Sequence, residues 1–222
     1  MQETNCDFSP LKHQLSDELQ NITMDIQKGI HLLDADNYCL LGHLEDLRER
    51  FLQIETLAAT FYLNCYLSPY TKNYKDISRS IQNLAKRRHG ALIVIERQDA
   101  LNSLIRPGIH VGASVHHTLI ESIFYPGNPL HDGAILIQSD QIVSAANVLP
   151  LSGRKGNGKK LGTRHRAALG LTEKSDALVL VVSEETGKIT FAIDGHLYPV
   201  SLLPNSVQET IITFTPDFSN LS

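Results

Sequence analysis

Leu11, Leu15, Leu19, Ile22, Ile26, Ile30 and Leu33 recur at intervals of four, four, three, four, four and three residues. That spacing stays close to the 3.6-residue helical turn and predicts one long amphipathic helix over 9–34. Ser9 and Pro10 suit its N-cap and first helical position. "DADNY" (34–38) interrupts the stripe, and a second one follows through Leu40, Leu44, Leu47, Phe51, Ile54, Ala58 and Phe61. Two helices joined by so short a segment are expected to pair as an antiparallel hairpin. Two helices alone bury little apolar surface, so the stripes need the rest of the chain or a second copy against them. "LSPYTKN" (67–73) reads as a linker, which sets a hairpin domain over 1–68 and a second domain over 69–222.

From residue 75 the pattern changes. "KDISRSIQNLAKRR" places Ile77, Ile81 and Leu84 on one helical face. "GALIVIE" (90–96) is a continuous apolar run, as in a strand buried on both faces. "SVHHTLIESIF" (114–124) reads as a helix capped by Ser114, and "GAILIQ" and "IVSAANV" around "SDQ" as a β-hairpin over 133–148. "GTRHRAALGL" (162–171) opens a helix with Thr163 at its N-cap. "ALVLVVS" (177–183) and "ITFAID" (189–194) are strands around the turn "EETGK", and an amphipathic stretch ends near Phe214. Strands and helices interleave, so the expected class is α/β (α+β), a mixed β-sheet core flanked by helices and preceded by the hairpin.

Charge and cysteine content narrow the setting. The net charge of −4 gives no global reason to bind nucleic acid. It is unevenly spread: residues 1–70 carry eleven acidic and four basic side chains, the remainder thirteen and sixteen. Three cysteines, an odd number with no CxxC, point away from a disulfide framework or zinc site and toward a reducing cytoplasm. The start lacks the basic and apolar regions of a signal peptide, and no apolar run reaches membrane-spanning length, so neither export nor membrane insertion is expected.

Three loops carry candidate chemistry. In "NPLHDGAILI" (128–137), Asp132 enters an apolar strand beside Gly133. A carboxylate there suits Mg²⁺ or Mn²⁺, and a neighbouring His131 ligand shifts preference toward Mn²⁺ or Co²⁺. In the second loop Arg164, His165 and Arg166 fill the first turn of a helix. Cations there oppose the helix dipole. A bound phosphate resolves the conflict, taking the unpaired N–H groups, the Thr163 hydroxyl and the guanidinium forks together. The third, "SEETGK" (183–188), offers Ser183 to a phosphate and Glu184 or Glu185 to a metal, or else is an ordinary exposed turn. The basic loop "SGRKGNGKK" (152–160) is no P-loop, because GxxxxGK[ST] is absent.

In this order, Asp132-Gly133-Ala134, "VLPLS", Arg164-His165-Arg166 within "LGTRHRAALGL", and "VVSEETGKI" resemble the diadenylate cyclase domain, over roughly Lys75 to Asp194. The resemblance implies condensation of two ATP to cyclic di-AMP with release of two pyrophosphates. It implies one ATP per domain and two domains face to face, hence a homo-oligomer built on dimers, up to a hexamer. Carried over, Asp132 binds the catalytic metal and helps activate a ribose 3′-hydroxyl, Gly133 and Ala134 lie under the nucleotide, and Leu149 meets the adenine through its backbone. Thr163, Arg164, His165 and Arg166 hold phosphates with Ser183 assisting, and Glu185 lies near metal or phosphate. Among the family's classes the chain resembles the soluble, sporulation-associated one with two N-terminal helices, the CdaS type.

Two rival readings remain. A sensor module of the same fold would bind ATP or cyclic di-AMP without turnover, and an intact Asp132 argues against it. A structural hairpin protein would leave the two arginines at a helix start unexplained. The apolar stripes and the acidic balance of the hairpin lead to one further expectation, that the hairpin restrains the enzyme by fixing how catalytic domains meet.

Overall fold

The computed structural model describes residues 9–32, 40–153 and 161–200. Leu33, the turn 34–38, most of the basic loop and the stretch ending near Phe214 lie outside the described residues. The chain divides into two compact units, one of Met1–Phe61 with Ser201–Ser222 and one of Tyr62–Val200.

Helix α1 (Ser9–Leu32) lies in the first unit, and helix α2 (Leu40–Leu67) begins there and ends in the second; both occur where the stripes predict them. Arg50 of α2 donates to the Asp25 carboxylate of α1, and His43 Nε2 donates to the Asp25 carbonyl at 2.8 Å. Gly29 lies so close to His43 that a Cβ there would meet the ring at 3.0 Å. Residue numbers rise along one helix as they fall along the other, so the hairpin is antiparallel, as expected. Leu11, Ile22 and Ile54 are buried, whereas Leu19, Ile26, Ile30, Leu44 and Phe51 stay exposed. Much of each stripe therefore remains open.

The second unit is a seven-stranded sheet in the order β2-β4-β3-β1-β5-β6-β7. Its strands are β1 (Ala91–Ile95), β2 (Ile109–Ser114), β3 (Ala134–Gln138), β4 (Gln141–Asn147), β5 (Leu178–Val182), β6 (Ile189–Ile193) and β7 (His196–Val200). β1 and β3 are parallel and the other neighbours antiparallel, which gives the mixed sheet expected. The central strands β1 and β5 are buried at every position. Alternation sends Leu92, Val94, Val179 and Val181 to one face, where they pack with Ala167, Ala168 and Leu171 of helix α5 (Thr163–Thr172). The alternate residues face the other way, toward helix α3 (Tyr74–Arg87), which packs on β5 and β6 and beside α4 (His117–Ile123).

Three expectations are corrected. Ser114 ends strand β2 and caps nothing; α4 starts at His117, and the His116 side chain serves as its N-cap by accepting from the Thr118 N–H. Thr163 is the first residue inside α5, whose N-cap is Gly162 with no side-chain cap bond. The segment 67–73, expected to be a linker, is firmly held: the Thr71 hydroxyl and the Lys72 N–H donate to Asp140 Oδ1 at 3.0 and 2.7 Å. Those two donors, the Lys72 N–H first, hold the Asp140 carboxyl below its ordinary range.

Two glycines set the approach of chain to chain around the future site. Gly133 has φ +118, and a Cβ on it would meet the β4 backbone at Ala146 and Asn147 at 2.8 Å. Only glycine fits there, so the residue after Asp132 is dictated by packing as well as conformation. Gly170 lets α5 rest on the segment after β4, where a Cβ would lie 2.2 Å from the Pro150 carbonyl.

Candidate active site

Strands β1 and β3 begin, and β5 ends, at one edge of the sheet. Ala91 pairs with Val182, and Ile93 with Ile135, so continuing the register sets Gly133, Ala91 and Val182 side by side. Asp132 and Ser183 then stand about two strand spacings apart, roughly 10 Å. Ala134 pairs with Asn147 at the end of β4, and its carbonyl accepts from Asn147 Nδ2 at 2.8 Å, which ties the "DGA" turn to the segment leading into Leu149. Ser152 N–H donates to the Arg166 carbonyl at 2.9 Å and brings the start of α5 to the same edge.

The first turn of α5 explains its own charges in part. Arg164 Nη1 pairs with Glu184 Oε2 at 2.9 Å, and Gly90 makes room for that guanidinium, since a Cβ there would lie 2.3 Å from Nη1. Arg166 Nη2 donates to the Ser152 carbonyl at 3.3 Å. The first backbone N–H groups of a helix have no acceptor within it, and Gly162 supplies no side-chain cap. The structure thus brings Arg164, Arg166 and Ser183 to one edge with Asp132 and Gly133. Leu149 is buried beside them, Glu185 is exposed in the β5–β6 turn, and the Ser183 hydroxyl accepts from the Thr186 N–H at 3.2 Å.

His165 is half-buried, and burial pushes its imidazole below the ordinary histidine range, so the ring is neutral at pH 7. Its unfolded form takes up a proton more readily than its folded form. The native state therefore has its full stability from this group above about pH 6.5 and loses it as pH falls toward the folded pKa. Urea midpoints of the parent are expected to drop more between pH 7.5 and 5.5 than those of His165→Gln, whose side chain stays neutral. Equal drops would show that His165 does not titrate in this way.

The donor set near Asp132 fits a divalent ion that shares its shell with substrate. His131 Nδ1 donates to the Asn128 carbonyl, which can only accept, so Nε2 carries the lone pair and is oriented as a ligand. Asp132 supplies an exposed carboxylate next to it. Neither residue belongs to a cluster of three or more ligating side chains among the described residues. An ion held by these two side chains would keep several positions for phosphate oxygens and water, the habit of Mg²⁺ and Mn²⁺ in nucleotide sites.

Sequence reading did not anticipate the Arg164–Glu184 pair or the space left by Gly90, because both depend on the β1–β5 register. It also passed over Asp76, His116 and His117, which come together as a group of three ligating side chains. The adjacent histidines are visible in the sequence, but their carboxylate is remote in the chain, 41 residues before His117.

The fold and this sheet edge define the class, a nucleotide-binding α/β domain. The family described as DisA bacterial checkpoint controller nucleotide-binding matches residues 78–197, and the one described as diadenylate cyclase CdaS, N-terminal, matches residues 2–70. The chain belongs to the diadenylate cyclase family. It is 49% identical over 192 residues to the diadenylate cyclase CdaS of Bacillus thuringiensis, covering 86% of this chain and 96% of that protein. It is 48% identical over 182 residues to the cyclic di-AMP synthase CdaS of Bacillus subtilis, covering 82% and 87%. A solved Bacillus cereus structure, described as a hypothetical membrane spanning protein, matches with a TM-score of 0.72 and 49% identity over 87% of this chain and 95% of that one. A double mutant of DacA from Staphylococcus aureus matches with a TM-score of 0.56 and 43% identity over 64% and 93%. No described helix of the present chain is long and apolar enough to cross a membrane.

Proposed function

We propose that the protein condenses two ATP to cyclic di-AMP, at a site completed when a second copy faces the first. The observation that carries this reading is the uncapped N-terminus of α5, bearing Arg164 and Arg166, at the same sheet edge as Asp132. In each of two displacements a ribose 3′-oxygen of one ATP attacks the α-phosphorus of the other. One P–O bond forms, the bond to diphosphate breaks, and the hydroxyl proton leaves. Two such steps close the ring and release two diphosphates.

Asp132 accepts the hydroxyl proton and orients the attacking oxygen. Arg164, Arg166, Thr163 and the first N–H groups of α5 hold the phosphates, with Ser183 at the far side. Neutral His165 remains a hydrogen-bonding group that adds no further charge to the helix start. Gly133 and Ala134 form the floor under the nucleotide, and the backbone at Leu149 reads the adenine. Asp132 and His131 Nε2 would hold Mn²⁺ or Mg²⁺, or Co²⁺ in its place; such an ion supplies charge neutralisation on the phosphates, with Glu185 nearby. Positioning and charge neutralisation are what such a phosphoryl transfer needs. The full chain incubated with ATP and Mn²⁺ should give cyclic di-AMP and diphosphate in a ratio of one to two. Binding of ATP without product would make it a sensor module instead.

The hairpin, residues 1–68, restrains the catalytic domain, 69–222, by holding copies in an arrangement other than the productive facing pair. Its support is the set of exposed apolar side chains at Leu19, Ile26, Ile30, Leu44 and Phe51, together with the acidic balance of that region. Use of ATP and the odd, CxxC-free set of three cysteines favour work in the cytoplasm. Ile26→Asp and Leu44→Asp are expected to raise product formed per mole of chain severalfold and to change the mass by light scattering. Removal of residues 1–66 should change both as well. Variants with the parent's mass and rate would make the hairpin a passive appendage.

A further inference from the structure

We propose that Asp76, His116 and His117 form a second metal site, apart from the reaction edge, for a divalent ion of the zinc class. His117 Nδ1 lies 3.0 Å and His116 Nε2 3.9 Å from Asp76 Oδ1, and the three ligand atoms are within 4.8 Å of one another. An ion bonded to nitrogen and oxygen at about 2.0–2.1 Å in tetrahedral geometry sets its ligands about 3.4 Å apart. The two separations bracket that value, so small side-chain rotations close the site. The His116 and His117 rings are tilted by 39° with centroids 4.5 Å apart, which keeps the two nitrogens on one side.

Partners outside the cluster hold the donors in place. His116 Nδ1 is 2.8 Å from the Thr118 hydroxyl; with an ion bound, an Nδ1–H would donate to that oxygen instead of accepting the Thr118 N–H, which frees the Nε2 lone pair on the Asp76 side for the ion. The His117 N–H donates to Asp76 Oδ1 at 3.1 Å and fixes the carboxylate. Burial pushes the Asp76 carboxyl up, but the His117 N–H and ring together with the neighbouring imidazoles outweigh it, and the group lies below its ordinary range. The side chains are 31%, 58% and 17% exposed in chain order, so an ion can enter and water can complete its shell.

Helix direction argues for the kind of ion. Asp76 meets His117 at one end of the α3–α4 pair, and Asn83 and Arg87 meet Glu121 further along, so the helices run parallel with their N-termini together. Both dipoles disfavour a cation. A hard ion held by one carboxylate has little to offset that, whereas imidazole nitrogens bind zinc, nickel or copper strongly. The site is distinct from the reaction edge: nine residues of helix, about 14 Å, separate Asp76 from Ala85, and it is Ala85 whose carbonyl lies against Gly187 in the β5–β6 turn. A bound ion would clip α3 to α4 at their start.

The test uses the full-length, untagged chain with His131→Gln and Asp132→Asn, which removes the ligands assigned near substrate and makes the outcome independent of the cyclase reading. Co²⁺ is the probe, followed by its visible absorption and by equilibrium dialysis, and Zn²⁺ is added in thermal melts. This chain should bind one Co²⁺ with a ligand-field spectrum and melt several degrees higher with Zn²⁺. Adding His116→Asn, which keeps an N-cap acceptor for α4, should abolish both effects while leaving the metal-free midpoint close to the parent's. Absence of a bound Co²⁺, or the same binding after His116→Asn, would overturn the proposal.

Discussion

Asp132→Asn is expected to lower cyclic di-AMP formation by about 10²–10⁴-fold, the usual contribution of a positioned proton acceptor, with the fold intact. The side chain is exposed and accepts no hydrogen bond among the described residues, so exchanging a carboxylate for an amide removes nothing that supports the protein. The turn itself is held by Gly133 and by the Ala134–Asn147 pairing, neither of which involves the carboxylate. What disappears, on the proposed mechanism, is the charge that would draw a cation and the basicity that would take the 3′-hydroxyl proton. ATP affinity should fall much less, because α5 still offers its N–H groups and both guanidinium forks. Steady-state rates beside ATP titrations, each with Mn²⁺, separate the two effects. Activity within a few-fold of the parent would remove Asp132 from the mechanism.

The second large effect is expected at the helix start. Arg164→Lys and Arg166→Lys should each lower kcat/KM by roughly tenfold or more, the scale of one charge-assisted hydrogen bond, since an ammonium lacks the planar fork that matches a phosphate. Little of this should come from stability. The Arg164–Glu184 pair is half open to water, with Glu184 68% exposed, and such pairs contribute about 0–1 kcal/mol. Arg166 has a carbonyl partner in Ser152, which offsets its unfavourable place near the positive end of the helix dipole. Kinetics measured beside urea midpoints distinguish lost phosphate binding from lost fold. Unchanged kinetics in both variants would return the pair to a solvated basic patch.

The elements legible in the sequence are those whose burial forces a pattern. β1 and β5 are buried at every residue and read as unbroken apolar runs, and α3 turns Ile77, Ile81 and Leu84 inward at helical spacing. The two strands missed are both sheet edges. β2, "IHVGAS", is exposed or half-exposed throughout, so water imposes no alternation on it. β7, "HLYPV", contains Pro199, which argues against a central strand but is tolerated at an edge. The caps failed for a related reason. Ser114 and Thr163 have the right chemistry, yet the neighbouring strand keeps Ser114, and the backbone turns into α5 one residue earlier, at Gly162. At the sheet edge, the motifs picked out residues that the fold brings together but not their neighbours, because Gly90, Arg164 and Glu184 meet only through strand pairing.

The Arg164–Glu184 pair also bears on how nucleotide binding responds to ionic strength. An arginine that already holds a carboxylate does not meet phosphate as a bare cation. On the proposed role of Arg164, the incoming phosphate would displace a carboxylate that is covalently part of the chain, and fewer mobile counterions would be exchanged than two arginines suggest. Affinity should therefore depend on salt less steeply than the charge of the helix start implies. The displaced carboxylate would stay at the rim of the proposed site on its short turn, an internal competitor at fixed concentration that would help a released diphosphate give way to the next nucleotide.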